Sequence, residues 1–311
     1  MNRSFSLPER RQWPSKQAIG PRIAVGIATV GRADTLCKTL SLLLSQLRIP
    51  DAVFISAPTA SDVRGVTNCL PASYVALGQR GLTRQRNVIL EMARKKTDLL
   101  VFMDDDFLPC RAYLQETLAA FADHPDVVMT TGYVIQDGIC GPGLDFDSAL
   151  AELTRSDRQT CSEEIRDVAN GYGCNMAMRL AVASAHGVRF DEDLPLYGWL
   201  EDVDFSHRLA KYGRIVTVPR AKGIHLGIKR GRQSGVQLGY SQIANPYHLA
   251  RKGSVSWRRS FYLVSRNVAA NLRGLVKPEP YIDRVGRLTG NAKAVADLAT
   301  GRISPLRILS L

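Results

Sequence analysis

Residues 99–109 read LLVFMDDDFLP: five apolar residues run straight into three aspartates and leave through Phe107, Leu108 and Pro109. An uninterrupted apolar run of this length fits a strand buried on both faces of a parallel sheet. In such sheets ligands sit outside the carboxyl ends of the strands, which is where Asp104, Asp105 and Asp106 would emerge. Three adjacent carboxylates repel one another unless a cation neutralises them. A hard divalent ion, Mg²⁺ or Mn²⁺, shared with the phosphate oxygens of a ligand, suits such a cluster. The competing explanation is an acidic turn capping a helix that starts near Arg111, since Asp is favoured before a helix. One aspartate would be enough for that.

The segments on the amino-terminal side support a sheet. After Arg22 the run IAVGIATV, bounded by Gly31, reads as a buried strand. From Asp34 to Leu47, Leu36, Leu40, Leu43, Leu44 and Leu47 recur at helical spacing. Strands are expected at 52–56 and 74–77, and a helix from Thr83 to Lys96 with Val88, Ile89, Met92 and Ala93 as its apolar stripe. Strand and helix alternating in this order imply right-handed crossovers and a doubly wound α/β sheet flanked by helices.

On the carboxyl-terminal side a helix is expected over Tyr113–Ala122 and a strand over Val127–Val134. The stretch from Gln136 to Val168 is rich in Gly, Asp, Ser and Thr and reads as an inserted loop with a short helix. A strand follows over Asn175–Met178 and a helix over Asp202–Tyr212, and two short strands at 214–218 and 223–226 complete the body.

Charge divides the chain of 311 residues unevenly. From Arg220 onward there are 17 Lys/Arg and 3 Asp/Glu, whereas the first 219 residues hold 24 basic and 26 acidic residues. A near-neutral body with a basic final third points to a polyanionic partner: an acidic membrane leaflet, a diphosphate-bearing substrate or nucleic acid. The six cysteines are scattered without a CxxC pair, which argues against a zinc ribbon or a disulfide scaffold and favours a reducing compartment. Neither a secretory apolar region near the start nor a membrane-spanning run is visible, so a cytoplasmic placement is expected.

Two further features carry chemistry. In GWLEDVDFSHRLAKYG, residues 198–213, Glu201, Asp202 and Asp204 precede or enter a helix. Acidic first turns also stabilise helices without any catalytic role. His225 ends the strand-like KGIHLG and reads either as a metal ligand or as a satisfied structural histidine.

Taken in order, these motifs resemble the inverting family 2 glycosyltransferases with the GT-A fold, over about residues 22–250. The run IAVGIATVGRADTL is similar to the family's donor-binding strand and loop, which implies donor contacts at Thr29 and Arg32. TRQRNVIL resembles the Ala-Arg-Asn helix start, with Arg86 and Asn87 in the matching places and Arg86 on the donor side. MDDDFLP resembles the Asp-x-Asp segment. Through it the resemblance implies Asp104 at the nucleotide ribose or the metal, Asp105 on the donor side and Asp106 as metal ligand. GCNMAMR resembles the acceptor-side segment, LEDVDFSHRL the Glu-Asp motif with Asp202 as base and Glu201 beside it, and His225 a further metal ligand. The resemblance thus implies a nucleotide-diphosphate sugar as donor, a saccharide or lipid-linked acceptor, and Mn²⁺ or Mg²⁺ as cofactor.

Two departures stand out. Where the family often has an Asp-rich turn that recognises the base, this chain reads SAPTASDV with Asp62 alone, and the Gln-x-x-Arg-Trp of processive synthases is missing. The expected organisation is an arm over 1–21, the catalytic domain over 22–230 and a basic, mostly helical extension over 231–311. Lys229, Arg230 and Arg232 lie between glycines and read either as a flap closing on the diphosphate or as a solvated loop. The tail mixes Arg251, Lys252, Trp257, Arg258, Arg259, Phe261 and Tyr262, which suits either a helix lying on an anionic leaflet or one packed on the body with a charged outer face. The rival functions are a nucleic-acid binder, disfavoured by the acidic clusters and the lack of any known nucleic-acid signature, and a catalytically silent nucleotide-sugar-binding module.

Overall fold

The structure, a computed structural model, describes residues 20–70, 73–157, 164–229 and 234–311. In chain order the first elements are β1 (Ile23–Ala28), α1 (Ala33–Leu44), β2 (Ala52–Ala57), α2 (Val66–Cys69), β3 (Ser73–Leu77), α3 (Leu82–Ala93) and β4 (Leu99–Met103). Then come β5 (Phe107–Pro109), α4 (Tyr113–Asp123), β6 (Val127–Asp137), α5 (Phe146–Ser156), β7 (Arg166–Asp167), β8 (Asn175–Arg179) and α6 (Leu180–Ala185). The last are α7 (Glu201–Leu209), β9 (Arg214–His225), α8 (Gly235–Lys252), α9 (Trp257–Val276) and α10 (Arg284–Ala299).

One mixed sheet runs β3-β2-β1-β4-β8-β6-β9-β5, with β7 on the side of β9. The β1–β4 block is parallel, β8 runs antiparallel between β4 and β6, and β6 and β9 are parallel. The period-two alternation of strand side chains divides the core. Val25, Ile27, Val101 and Met103 pack with Leu36, Leu40 and Leu43 of α1 on one face. Ala24, Phe54, Leu100 and Phe102 meet Ile89 and Ala93 of α3 and Phe205 of α7 on the other. The buried run predicted at 99–103 is therefore covered on both sides.

One expectation is corrected. The two short strands at 214–218 and 223–226 are one strand, β9, whose pairing with β6 is irregular between Val218 and Lys222, around Pro219. A proline lacks the N–H a ladder needs, so the sheet bulges there instead of ending. The helix expected within 136–168 is α5, eleven residues long and capped by Asp145, whose carboxylate accepts the Ser148 N–H. The short strand β5 follows the aspartates directly and pairs Phe107 with His225.

The C-terminal region is helical. Tyr240, Ile243 and Ala244 of α8 pack with Ala294 of α10 and Ile308. Asn245 donates to the Trp199 carbonyl at 2.8 Å, and the Lys252 ammonium reaches Asp204 at 2.9 Å and Asp191 at 2.7 Å, which fastens α8 to the body. Among the described residues no helix is long and apolar enough to cross a membrane.

Past His225 the backbone crosses the turn after β6 at very short range. Gly227 has φ of +66°, and a Cβ there would lie 2.2 Å from the Gly138 carbonyl carbon. This crossing brings Asp137 beside His225, and neither backbone can yield without moving the other. Gly227→Ala is therefore expected to lower stability by about 1–3 kcal/mol, read as a lower urea midpoint at unchanged slope. Gly141→Ala, where a Cβ would meet nothing within 4 Å, serves as the control and should stay within about 0.5 kcal/mol of the parent.

Candidate functional site

The three aspartates after β4 have three different fates. Asp105 is fully buried: it accepts the Thr29 hydroxyl at 2.6 Å and pairs with the Arg32 guanidinium at 2.8 Å. Burial drives its carboxyl up to about 7, with Arg32 pulling the other way. Asp106 is also buried. One of its oxygens accepts from Arg32 at 3.0 Å and from the Ile228 N–H at 2.8 Å. Burial alone would raise its pKa, but His225, Arg32 and the Ile228 N–H hold it down at about 2. Asp104 is partly open, at 28% exposure, and takes an Arg86 N–H at 3.2 Å.

His225, delivered by the end of β9, turns Nε2 toward Asp106 (3.5 Å) and Asp104 (3.8 Å). Its Nδ1 lies 2.9 Å from Asp137 Oδ1, and the other Asp137 oxygen accepts the Tyr172 hydroxyl at 2.7 Å. Burial disfavours charge on the ring, yet the nearby Asp106 and Asp137 carboxylates outweigh it and raise its pKa to about 10. One ligand atom from each of Asp104, Asp106 and His225 lies within 4.8 Å of the others. The Asp106 Oδ1 atom is buried without a hydrogen-bond partner. A buried carboxylate oxygen left unsatisfied is costly, and a cation among these three side chains would satisfy it. A histidine whose other ring nitrogen is held by a carboxylate is the usual support of a metal-ligating imidazole. The residues therefore fit a divalent ion.

Beside this cluster lies a second set of carboxylates. Glu201 and Asp202 open α7, preceded by Leu200, whose φ is +74°. A leucine in the left-handed region costs about 1–2 kcal/mol, and such strain concentrates at functional turns. Asp202 accepts the Gly173 N–H at 2.9 Å and the Val203 N–H at 2.8 Å. Burial lifts its pKa above the ordinary carboxylate value, against the pull of those bonds and of Arg86. Glu201, buried and rising to about 8 chiefly by desolvation, accepts Arg86 at 2.5 Å. Arg86 also donates to the Gly173 carbonyl at 2.6 Å, and its guanidinium carbon lies 5.5 and 5.4 Å from the centres of the Phe102 and Phe190 rings.

Asp105 and Arg86, expected on the donor side, are enclosed and held by protein groups. The Thr29 side chain is likewise spent on Asp105, although Thr29 and Arg32 do line the cleft with Asp104, Asp106 and His225. Asp204 turns away to Arg208 (2.7 Å) and Lys252 (2.9 Å). Lys229 donates to the carbonyls of Gly138 and Ile139, while Arg230 and Arg232 of the expected flap lie outside the described residues. Asp62 accepts the N–H groups of Gly31 and Thr59, so it braces the loop after β1.

Sequence reasoning missed Asp137 and Tyr172. Their only local sign is an acidic residue at a strand end before Gly138, and a tyrosine beside the GCNMAMR segment.

Comparison with known proteins gives one family. The model described as glycosyl transferase family 2 matches residues 24–180, about half of the chain. No protein with a curated description matches. Among solved structures the chain is similar to the mannosyltransferase PcManGT from Pyrobaculum calidifontis in complex with GDP-Man and Mn²⁺, at 16% identity over 89% of this chain and 88% of that one, with a TM-score of 0.54. It is similar to residues 1–349 of S. aureus TarS at 14% identity, covering 91% and 83%, and to GalNAc-T7 with UDP, GalNAc and Mn²⁺ at 14%, covering 91% and 58%; both TM-scores are 0.54. At such identities these likenesses speak for the fold alone. The family match runs from β1 through the aspartates to the end of β8, the part of the chain that carries the buried parallel block and its acidic strand end, and the chain belongs to glycosyl transferase family 2.

Proposed function

We propose that the chain is an inverting glycosyltransferase that moves a sugar from a nucleotide-diphosphate donor to a hydroxyl of a saccharide or lipid-linked acceptor. The observation that carries this reading is the convergence of Asp104, Asp106 and His225, with one Asp106 oxygen left without a partner. Asp106, His225 and Asp104 would hold a divalent ion, and an imidazole among the ligands favours Mn²⁺ over Mg²⁺, which prefers oxygen donors and water. Such an ion would supply positive charge against the negative charge that grows on a departing diphosphate. Mn²⁺ is also named with PcManGT and with GalNAc-T7.

The remaining work falls to side chains. Arg32 lines the cleft beside Asp106 and adds positive charge where a diphosphate would lie. Asp202 takes the proton of the acceptor hydroxyl, a poor nucleophile at neutral pH. Its raised pKa makes it a stronger base than an open carboxylate, and the Gly173 and Val203 N–H groups fix its direction. A single displacement assisted by one base inverts the anomeric carbon. An adjoining cleft that shares Ile139 and Tyr197 with the first is lined by Trp199 and Tyr281, aromatic faces suited to the apolar face of an acceptor sugar ring.

Three measurements test the reading. Because Asp106 is buried, Asp106→Asn is a cleaner probe than truncation: it keeps an acceptor for the Ile228 N–H but loses the charge. In a thermal-shift screen of UDP-, GDP- and dTDP-sugars, a donor at 100 times its dissociation constant stabilises the parent by about 2.7 kcal/mol. The expected result is that this shift needs Mn²⁺ in the parent and is gone in Asp106→Asn; a Mn²⁺-dependent shift that survives removes Asp106 from the site. Asp137→Asn should weaken Mn²⁺ binding by about 10–100-fold in a calorimetric titration, because the imidazole loses its orienting carboxylate. Asp202→Asn should lower kcat by about two to four orders of magnitude with donor affinity nearly unchanged. Turnover within a factor of about five of the parent would exclude Asp202 as the base.

A further inference from the structure

Helix α9 packs on the rest of the protein along one side. Its buried residues are Ser260, Leu263, Asn271 and Gly274. Ser260 donates to the Pro246 carbonyl at 2.9 Å, and Asn271 donates to Gln242 at 2.8 Å and Asn291 at 3.0 Å. At 100° per residue these four positions span about 80° of the helix circumference. Beside them Val264 and Val268 are partly buried against the cluster of Tyr240, Ile243 and Ala294; what remains of the circumference is not the uniformly charged face that a helix merely packed on a body would show.

Next to this packed side runs an apolar stripe in which Trp257 is 56% exposed, Phe261 74%, Leu272 52%, Leu275 50% and Val276 82%. Beyond it lie Arg258, Arg259, Arg266 and Arg273, with Tyr262 among them. The helix contains no acidic residue, and from Arg251 to Lys277 there are seven basic residues and none that is acidic. Large apolar side chains this open, beside a cationic band, mark an interaction surface.

We propose that this face of α9 docks on an anionic lipid bilayer, with the stripe entering the boundary between headgroups and acyl chains and the arginines meeting lipid phosphates. Trp and Phe at the boundary, aliphatic residues beneath and cations on the polar flank are the composition that holds a helix in that plane. Charge decides against a second copy of this chain as the occupant. A symmetric pairing of two α9 faces sets eight arginines together with no carboxylate from either helix to offset them. The stripe decides against nucleic acid, since Leu272, Leu275 and Val276 have no counterpart on a phosphate backbone. The docking surface stands apart from the cleft of Asp104 and His225 and does not depend on the transferase reading.

The test is sedimentation of the full chain with vesicles of phosphatidylglycerol and phosphatidylcholine in equal parts, compared with phosphatidylcholine alone. The parent should sediment with the anionic vesicles, be released by salt, and leave the neutral ones unbound. Arg258→Gln combined with Arg266→Gln should weaken binding roughly thirty-fold, at about 1 kcal/mol per arginine near the surface. Phe261→Glu combined with Val276→Glu should abolish binding with the thermal midpoint unchanged, because both side chains are open. No sedimentation of the parent, or binding unaltered in the arginine variant, overturns the proposal. It is also overturned if the parent ignores vesicles and instead forms a dimer by light scattering that the glutamate variant dissolves, or binds RNA in a salt-sensitive manner.

Discussion

Carboxylates buried side by side raise one another's energy, and burial raises it further by removing water. The carboxyl ends of β4, β6 and the start of α7 gather Asp104, Asp105, Asp106, Asp137, Glu201 and Asp202 within one region, and most of the surrounding architecture answers that constraint. Arg32 is drawn into the sheet end between Asp105 and Asp106, Arg86 lies under Asp104 and Glu201, and His225 is pulled among Asp104, Asp106 and Asp137. Buried ion pairs of this kind contribute little net stability, because desolvation offsets their attraction. Their effect is to fix where each carboxylate points.

Much of this was legible in the sequence because the first half of the chain obeys simple periodicities. The buried strand over 99–103, the leucine spacing of α1 and the position of α3 are encoded locally, and the structure keeps them within a few residues. β9 reads as two strands in the sequence because its apolar pattern lapses around Pro219, whereas the irregularity that absorbs the proline is a property of pairing with β6. Asp104, Asp105 and Asp106 are chemically identical in the sequence. Only the direction in which the chain turns after β4 makes one partly open and encloses the other two. Asp137 and Tyr172 were invisible for a related reason: their role depends on a crossing of two glycine-containing segments 89 residues apart, which no local pattern reports.

The family match ends at residue 180, yet Asp202 and His225 come later in the chain. Three of the contacts that join the two parts are Arg86 to Glu201 across 115 residues, Asp106 to the Ile228 N–H across 122, and Asp137 to His225 across 88. Each uses a charged group as one partner, so each is directional as well as attractive. Arg86 shows the consequence. Its guanidinium, held between Phe102 and Phe190, fixes Glu201 with one nitrogen and reaches Asp104 and the Gly173 carbonyl with another. Glu201 shares the first turn of α7 with Asp202, and Gly173 supplies the N–H that orients Asp202. One buried cation therefore sets the spacing between Asp104 and Asp202, the residue proposed as base, without a hydrogen bond to Asp202 itself. A residue whose motif reads as a donor contact in the sequence thus also fixes, from inside the core, where two carboxylates of the site stand.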